Sequence, residues 1–278
     1  MFGSIYSRHP EVLLESLQAM ADDYSGAALG TGDGVGATLQ REYVRLLGVP
    51  EIGFRVRALY FRRALRQLGL TPNRVLDAGS GIGAYAMWLA MRYPASDVTG
   101  WELDERKVRF AQAFAGELGV DNARFERRDL CDADVPEGAF DLVINVDVLE
   151  HIEDYSAALT NMYRVLSPGG HVFIHTPQPE QGRIFKRFDH WHHEDHVREG
   201  FTPTELVAEL HRIGFVVKDV AQTFRLPGRF AWELNHMWLA RNRVLAGATF
   251  PLLLAGAMFD PLVPGGHALA SAILATKL

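Results

Sequence analysis

From residue 74 onward, the hydrophobic and polar positions repeat as short apolar runs separated by longer amphipathic stretches. Short apolar runs bounded by turn residues predict β-strands, whereas apolar positions spaced three and four residues apart predict helices. Their alternation is typical of βαβ units, and therefore of a parallel sheet covered by helices on both faces. The expected fold is α/β, with a doubly wound and mostly parallel seven-stranded sheet. The predicted strands are Arg74–Ala78, Asp97–Glu102, Arg124–Arg128, Phe140–Asn145, His171–His175, Phe215–Thr223 and Ala270–Thr276.

Helices are predicted between these strands, and two of their boundaries carry specific signals. Asp104–Gly119 and Asp154–Leu166 have helical length, and the Ser-Pro-Gly-Gly run at 167–170 is expected to turn the chain into the next strand. Thr202 followed by Glu205 has the spacing of a capping box, in which each side chain bonds to the backbone N–H of the other residue. A further helix is therefore expected to begin at Thr202.

The two ends of the chain differ from the sheet-forming middle. Residues 1–70 are predicted to be mainly helical, with a mobile glycine-rich loop at 26–36 that is either a linker or an active-site lid. Residues 225–266 form a predicted helical insertion before the last strand, rich in tryptophan, leucine, phenylalanine and methionine. The predicted organisation is a helical extension or lid (1–70), a core (71–224), and a segment with the insertion and the last strand (225–278).

Composition and charge narrow the class of protein. The chain has 278 residues and a formal net charge of −6, so it lacks the excess of basic residues expected for general nucleic-acid binding. Its one cysteine, Cys131, excludes an intrachain disulfide framework and a cysteine-based zinc site. No signal peptide is expected, because charged residues interrupt the N-terminal segment. The longest uncharged run, Val244–Phe259, is shorter than the roughly 20 residues of a spanning helix, so a cytoplasmic protein without a membrane span is expected.

The most informative segment is Arg-Val-Leu-Asp-Ala-Gly-Ser-Gly-Ile-Gly at 74–83, where a predicted strand meets a helix expected at Ala84–Arg92. Glycines at such a junction let the backbone turn tightly and approach a ligand, and the start of the helix offers free N–H groups. Glu102 stands at the tip of the next strand, where a carboxylate can accept hydrogen bonds from two ribose hydroxyls. A nucleoside-containing ligand is therefore expected at this junction.

Two details distinguish the segment from a dinucleotide-binding loop. The third glycine, Gly83, comes one residue earlier than the G-x-G-x-x-G pattern requires. Asp77 stands at the approach to the loop, where a carboxylate would repel a pyrophosphate and attract an ammonium group. The expected ligand has both a ribose and a positive charge, which describes S-adenosylmethionine.

On these residues the sequence resembles the class I S-adenosylmethionine-dependent methyltransferases of small molecules, in particular the quinone-biosynthesis O-methyltransferases. The resemblance covers residues 71–224 and includes Arg-Arg-Asp-Leu at 127–130, the run at 140–151 and Leu-Ser-Pro-Gly-Gly at 166–170. It implies a Rossmann-like fold, S-adenosylmethionine as cofactor and S-adenosylhomocysteine as product. It also implies that Asp129 binds the adenine amino group. The implied cofactor pocket comprises Asp77, Gly79, Ser80, Gly81, Gly83, Glu102, Leu103, Asp129, Leu130 and Asn145.

Methyl transfer needs an aligned acceptor and removal of its proton, and two segments carry side chains suited to that task. In the first, at 147–151, two carboxylates and an imidazole would share one face of a helical turn after the fourth strand. The second, at 189–196, holds four histidines. The candidate catalytic bases are His151, His193 and His196, and the candidate metal ligands are Asp147, Glu150, His151 and His196.

Three interpretations of these side chains stay open: a divalent metal site, a metal-free site with a histidine base, and purely structural roles. The resemblance extends here to methyltransferases of quinones and of small-RNA 3′ ends, which bind a metal through Glu-x-x-Glu-His and a distant histidine. This chain has Asp147 in place of the first glutamate. A catechol-type metal site is disfavoured because the fifth strand ends at 175–177 without a carboxylate.

The expected function is methyl transfer from S-adenosylmethionine to oxygen or nitrogen, and less favourably carbon, of a small and partly apolar metabolite. The apolar insertion is either a wall for a lipophilic acceptor or a dimer face and additional core, so a homodimer stays open. Contact with a membrane surface has only Arg229, Arg241 and Arg243 nearby in its favour. The competing class is a non-catalytic protein, a cofactor-binding sensor or assembly partner, which turnover would distinguish from an enzyme.

Overall fold

The computed structural model describes residues 35–47, 51–69, 71–179, 182–186 and 196–278. At its centre lies a seven-stranded sheet in the order β3-β2-β1-β4-β5-β7-β6. The five strands from β3 to β5 are parallel, whereas β7 lies antiparallel between β5 and β6. The strands are β1 (Arg74–Ala78), β2 (Asp97–Glu102), β3 (Ala123–Arg127), β4 (Phe140–Val146), β5 (Leu166–Pro177), β6 (Phe215–Thr223) and β7 (Ala270–Lys277).

Helices cover both faces of this sheet. Successive side chains of a strand point to opposite faces of the sheet, so both faces of β1 must be apolar. Accordingly, Val75 packs into one hydrophobic cluster and Leu76 into the other. The helices of the described residues are α1 (Val35–Leu47), α2 (Ile52–Leu68), α3 (Ala84–Arg92), α4 (Glu105–Leu118), α5 (Tyr155–Val165), α6 (Pro203–Ile213), α7 (Leu226–Arg241) and α8 (Arg243–Ala257), with 3₁₀ turns at Leu149–His151 and Asp260–Leu262. The first cluster includes residues of α2, α3, α4, α7 and α8, and the second includes residues of α5 and α6.

The predicted fold class is confirmed, and the bounds of β1, β2 and β6 agree with the sequence prediction. The turn expected at 167–170 lies within the bounds of β5, which begins at Leu166. Leu166 pairs with Phe140 and His171 with Leu142, so residues 167–170 have no partner in β4 and form a bulge. Gly169 has a φ of 80°, a left-handed conformation that glycine adopts readily. The chain therefore turns at this run as expected, although the strand begins one residue before it.

Two local expectations are corrected. Thr202 caps α6 by accepting a hydrogen bond from the Glu205 N–H at 3.2 Å, but the Glu205 carboxylate binds Arg198 at 2.6 Å instead of completing the capping box. The pair with Arg198 joins two full charges, whereas the return bond would join the Glu205 carboxylate to an uncharged N–H. The glycine-rich loop is expected at 26–36, but α1 already begins at Val35; residues 26–34 lie outside the described residues.

The insertion after β6 is helical as predicted, and α7 and α8 pack against each other and against α2. Ala231 and Trp232 of α7 and Phe250 of α8 enter the first hydrophobic cluster. One helical stretch, Val244–Leu262, is long and apolar enough to cross a membrane by length and composition, a test that core helices of soluble proteins also pass.

Candidate active site

The three glycines after β1 form a turn that needs glycine and leaves room for a ligand. Gly79, Gly81 and Gly83 all have positive φ, at 82°, 55° and 81°, a region that side-chain-bearing residues rarely adopt. A Cβ at Gly79 would lie 2.5 Å from a methyl group of Val148, so the loop packs tightly there. At Gly81, by contrast, no heavy atom lies within 4 Å of where a Cβ would stand. The loop is therefore open at Gly81, where a ligand can approach the backbone.

Asp77 lies buried beneath this loop. Its Oδ2 accepts a hydrogen bond from the Ala86 N–H at 3.1 Å, which caps the first turn of α3. The pKa of Asp77 is raised to about 7, mainly by burial; the Ala86 hydrogen bond lowers it and the nearby charge of Glu102 raises it by a smaller amount. A positive charge next to Asp77 would lower this pKa, so the carboxylate is suited to a cationic ligand.

Glu102 is held in a fixed orientation at the end of β2. Its Oε2 accepts from the Gly81 N–H at 2.9 Å and its Oε1 from the Asp104 N–H at 3.0 Å. Each carboxylate oxygen has a second lone pair, so two ribose hydroxyls can still donate to it. Backbone bonds thus place the carboxylate beside the open position at Gly81.

The predicted adenine-binding residues follow β3 and border the same edge of the sheet. Asp129 accepts a hydrogen bond from the Cys131 N–H at 2.8 Å, and Leu130 is buried. Leu103, next to Glu102, leaves 58% of its surface exposed. The exposed side chain of Leu103 therefore offers an apolar surface on which a flat ring such as adenine can lie.

Two buried polar atoms near the loop lack a hydrogen-bond partner among the described residues. These atoms are Ser80 Oγ and Asn145 Oδ1, whereas Asn145 Nδ2 donates to the Ala78 carbonyl oxygen at 2.8 Å. A buried polar group without a partner costs about 1–3 kcal/mol. The amino and carboxylate groups of S-adenosylmethionine could satisfy such atoms, so the residues present fit this cofactor.

A second group of side chains follows β4. Glu150, His151 and His196 each offer an atom that could bind a metal, and these atoms all lie within 4.8 Å of one another. The two imidazole rings are perpendicular, with centroids 4.5 Å apart. The N–H of Val197 donates to the Glu150 carbonyl oxygen at 3.0 Å, which holds the chain next to His196 in place. Residues 187–195, and with them His193, lie outside the described residues.

The Glu150 carboxyl group of this cluster is buried. Burial raises its pKa to about 8, and the negative charge of Asp147 adds to the effect. The Thr176 hydroxyl donates a hydrogen bond to its Oε2 at 3.2 Å. Two imidazoles and a carboxylate are a donor set found at catalytic zinc sites, so the residues fit a divalent metal.

Asp147 is placed elsewhere than the sequence pattern implies. The helical turn comprises only Leu149–His151, and Asp147 precedes it with a φ of +53°. Its Oδ2 lies 2.5 Å from Arg57 Nε, and its Oδ1 lies 2.5 Å from His175 Nδ1. The expected common helical face is therefore wrong for Asp147, whose carboxylate is engaged by Arg57 and His175.

This ion pair is the centre of a polar chain that runs from α2, through the turn after β4, to β5 and β6. Beyond Asp147, the Nε2 of His175 lies 2.9 Å from the hydroxyl of Thr223, and the Arg57 guanidinium lies over the ring of Phe224 at 5.6 Å. Burial alone would raise the pKa of Asp147, but Arg57 and then His175 outweigh it and hold the pKa below its usual range. The carboxylate is therefore ionised at neutral pH.

Sequence reasoning missed Arg57, His175 and Thr223 in this role. They lie on α2, β5 and β6, far apart in sequence, and no motif links them. Among the described residues other than glycine, two have a positive φ, Asp147 and Phe224, each at +53°. Phe224 directly follows Thr223. Two residues in the left-handed region thus adjoin one polar chain at the carboxyl edge of the sheet.

Known proteins share both this fold and its sequence pattern. The methyltransferase domain family matches residues 54–220. A demethylmenaquinone methyltransferase of Thermus thermophilus is 35% identical over 127 residues, which are 45% of this chain and 57% of that protein. A ubiquinone biosynthesis O-methyltransferase of Alkalilimnicola ehrlichii is 34% identical over 110 residues, which are 39% of this chain and 43% of the relative. This chain thus spans about half the length of these relatives.

Among solved structures, the (4+2)-cyclase SpnF superimposes with a TM-score of 0.59 at 18% identity, over 99% of this chain and 95% of that one. At this identity the likeness concerns the fold. The family match covers more than half of the chain, including the glycine loop and the strand that precedes Glu150. With its seven-stranded Rossmann-like sheet, the chain therefore belongs to the methyltransferase domain family, and its fold is that of the class I S-adenosylmethionine-dependent methyltransferases.

Proposed function

We propose that this chain transfers a methyl group from S-adenosylmethionine to an oxygen or nitrogen of a small, partly apolar metabolite. One observation carries the proposal: the glycine cradle with Asp77 and Glu102 shares the carboxyl edge of the sheet with the Glu150–His151–His196 cluster. Ligands of open α/β folds bind at this edge. The names of relatives, which are methyltransferases of quinone pathways and other small molecules, point the same way.

In this proposal the core residues 71–224 hold the cofactor. Glu102 binds the ribose hydroxyls, Asp77 faces the positively charged methionine portion, and Asp129 and Leu130 receive the adenine. The buried atoms of Ser80 and Asn145 gain partners when the cofactor is in place. The helical extension at 1–70 and the insertion at 225–266 supply the walls around the acceptor, and the protein acts in the cytoplasm.

We further propose that Glu150, His151 and His196 hold a divalent metal ion that receives a hydroxyl group of the acceptor. A bound divalent cation would lower the pKa of that hydroxyl and so prepare an oxygen nucleophile at neutral pH. The cation would also neutralise the Glu150 carboxylate, whose burial otherwise favours its protonated form. Asp147 does not join this set, because Arg57 and His175 occupy its oxygens.

Calorimetric titration with S-adenosylhomocysteine tests the cofactor site. We expect micromolar binding that weakens about tenfold or more in Glu102→Ala, the scale of losing charge-assisted hydrogen bonds. Incubation with labelled S-adenosylmethionine and a cell extract then tests for an enzyme, because a sensor would bind the cofactor without transferring the methyl group. Unchanged affinity in the variant would contradict the assigned pocket.

The metal proposal has its own test. Titration of Zn²⁺ or Mn²⁺ into chelator-treated protein is expected to give one site, lost in His151→Ala and kept in His211→Ala, which alters an exposed histidine on α6. The same loss in both variants, or no binding in the parent, would contradict the metal. Methyl transfer that persists without metal would then leave His151 as the base.

A further inference from the structure

After its first residue, Arg243, helix α8 carries no charge on any side, although only one side is buried. Its inner side packs into the protein core through Ala246, Phe250, Leu253 and Ala257. On its outer side Val244 and Leu252 expose 83% and 77% of their surface, and the same side continues through the turn that follows the helix. We call this exposed set the outer face; it consists of Val244, Leu245, Ala248, Pro251, Leu252, Ala255, Met258, Phe259 and Leu262.

The outer face carries no charge, and the one hydroxyl within the helix is already bonded. No charged residue occurs between Val244 and Phe259, and the hydroxyl of Thr249 donates to the Leu245 carbonyl oxygen at 2.8 Å. A helix that is hydrophobic all round is normally enclosed by protein or by lipid. Extended exposed apolar patches on soluble proteins mark interaction sites, so a partner is expected on this face.

The charge around the outer face identifies the kind of partner. Helices α1, α2, α7 and α8 together contain ten arginines and two glutamates, although the whole chain has a net charge of −6. One of these arginines, Arg57, is engaged by Asp147 and does not count toward the surface charge. One of the two acids, Glu233, is fully buried and accepts hydrogen bonds from the N–H groups of Ile184 and Phe185. These helices are neighbours, because α2 and α7 pack against α8, and Tyr43 of α1 donates to the Gly247 carbonyl oxygen at 2.8 Å. An apolar strip thus adjoins a strongly basic set of helices.

We propose that the outer face and its arginine-rich neighbours bind the surface of an anionic lipid bilayer. Apolar side chains enter the boundary between headgroups and acyl chains, while arginines contact the negative headgroups. A symmetric dimer through this face would bring two copies of the same basic surface together, so electrostatics disfavour a second copy. Helix α8 lies on the bilayer and does not span it, because its inner side is packed against α7 and α2.

Flotation with vesicles tests this binding independently of methyl transfer. The full chain is mixed with vesicles of phosphatidylcholine alone or of phosphatidylcholine with phosphatidylglycerol, at low and at high salt. We expect it to float with the anionic vesicles, and high salt to weaken the binding. Equal binding to neutral and anionic vesicles, or no binding, would overturn the proposal.

Matched substitutions localise the contact. Leu252→Glu places a charge in the outer face, whereas Leu278→Glu places one at an equally exposed leucine, 77% in both cases, outside this face. We expect about tenfold weaker vesicle binding for the first variant and parental binding for the second. Equal binding of the two variants would overturn the assignment, and so would a dimer, measured by light scattering, that Leu252→Glu dissociates while vesicle binding persists. Unchanged S-adenosylhomocysteine affinity and thermal unfolding would show that Leu252→Glu is folded.

Discussion

Gly81 offers a direct test of the cofactor cradle, because a second glycine in the chain shares its backbone but not its location. Gly81 has a φ of 55° and Gly119, at the end of α4, has a φ of 63°. At both positions no heavy atom lies within 4 Å of the point that a Cβ would occupy, so an alanine would meet only the cost of the left-handed backbone. That cost is about 1–2 kcal/mol for a residue with a side chain.

We therefore expect Gly81→Ala and Gly119→Ala to lose similar unfolding free energies, about 1–2 kcal/mol each. At roughly 2–4 °C per kcal/mol for a domain of this size, both melting temperatures fall by a few degrees. Only the methyl group at Gly81 lies where the cofactor must approach the loop. The dissociation constant for S-adenosylhomocysteine is expected to rise about tenfold or more in Gly81→Ala, equivalent to about 1.4 kcal/mol, and to stay unchanged in Gly119→Ala.

Thermal unfolding and calorimetric titration measure the two quantities separately. If Gly81→Ala binds S-adenosylhomocysteine as tightly as the parent while its melting temperature falls like that of Gly119→Ala, the cofactor does not approach this loop. If both variants lose affinity equally, the effect comes from general destabilisation. Either result would refute the reasoning that assigns the open space at Gly81 to the ligand.

Three further predictions concern charge and capping. Because the folded pKa of Asp77 is raised to about 7, the cofactor-free protein should lose stability as the pH rises from about 4 to 7. Binding of the cationic cofactor favours the ionised form of Asp77. The affinity of the parent protein for the cofactor should therefore rise from pH 6 to pH 8, whereas the affinity of Asp77→Asn should stay constant. Arg57→Met leaves the partly buried carboxylate of Asp147 with His175 as its one remaining side-chain partner in the described residues, and should cost about 2 kcal/mol in chemical denaturation. Arg63→Met, on the exposed side of the same helix, should change stability by less than about 0.5 kcal/mol. Thr202→Ala removes the cap of α6 and should cost about 1 kcal/mol, whereas no measurable change would mean that another group caps the helix.

Local physics explains why much of the core could be predicted from the sequence. The apolar runs of β1, β2 and β6 are bounded by turn residues or glycines, and their predicted limits agree with the structure. The glycine turn after β1 is equally local, because positive φ at three closely spaced positions requires glycine whatever surrounds them. Parallel pairing then follows from the length of the connecting helices.

The expectations that were wrong depend on contacts that the local pattern does not show. Glu205 has the spacing of half a capping box, but its carboxylate binds the guanidinium of Arg198, which is not part of that pattern. The same holds for Asp147, whose spacing from Glu150 matches a helical face. No local pattern shows that a guanidinium from α2 and an imidazole from β5 approach its carboxylate.

The position of β7 has a consequence for the order in which this protein can fold as it is synthesised. In space β7 lies between β5 and β6, and its ladders to these two strands are antiparallel. In sequence it follows both, with α7 and α8 between it and β6. The ribosome therefore synthesises β6 well before β7, the strand to which β6 bonds. Until β7 is available, the backbone N–H and C=O groups of β6 that pair with β7 stay unpaired. The first five strands can close their parallel ladders during that time, which makes the attachment of β6 the final and most aggregation-exposed step in assembling the sheet.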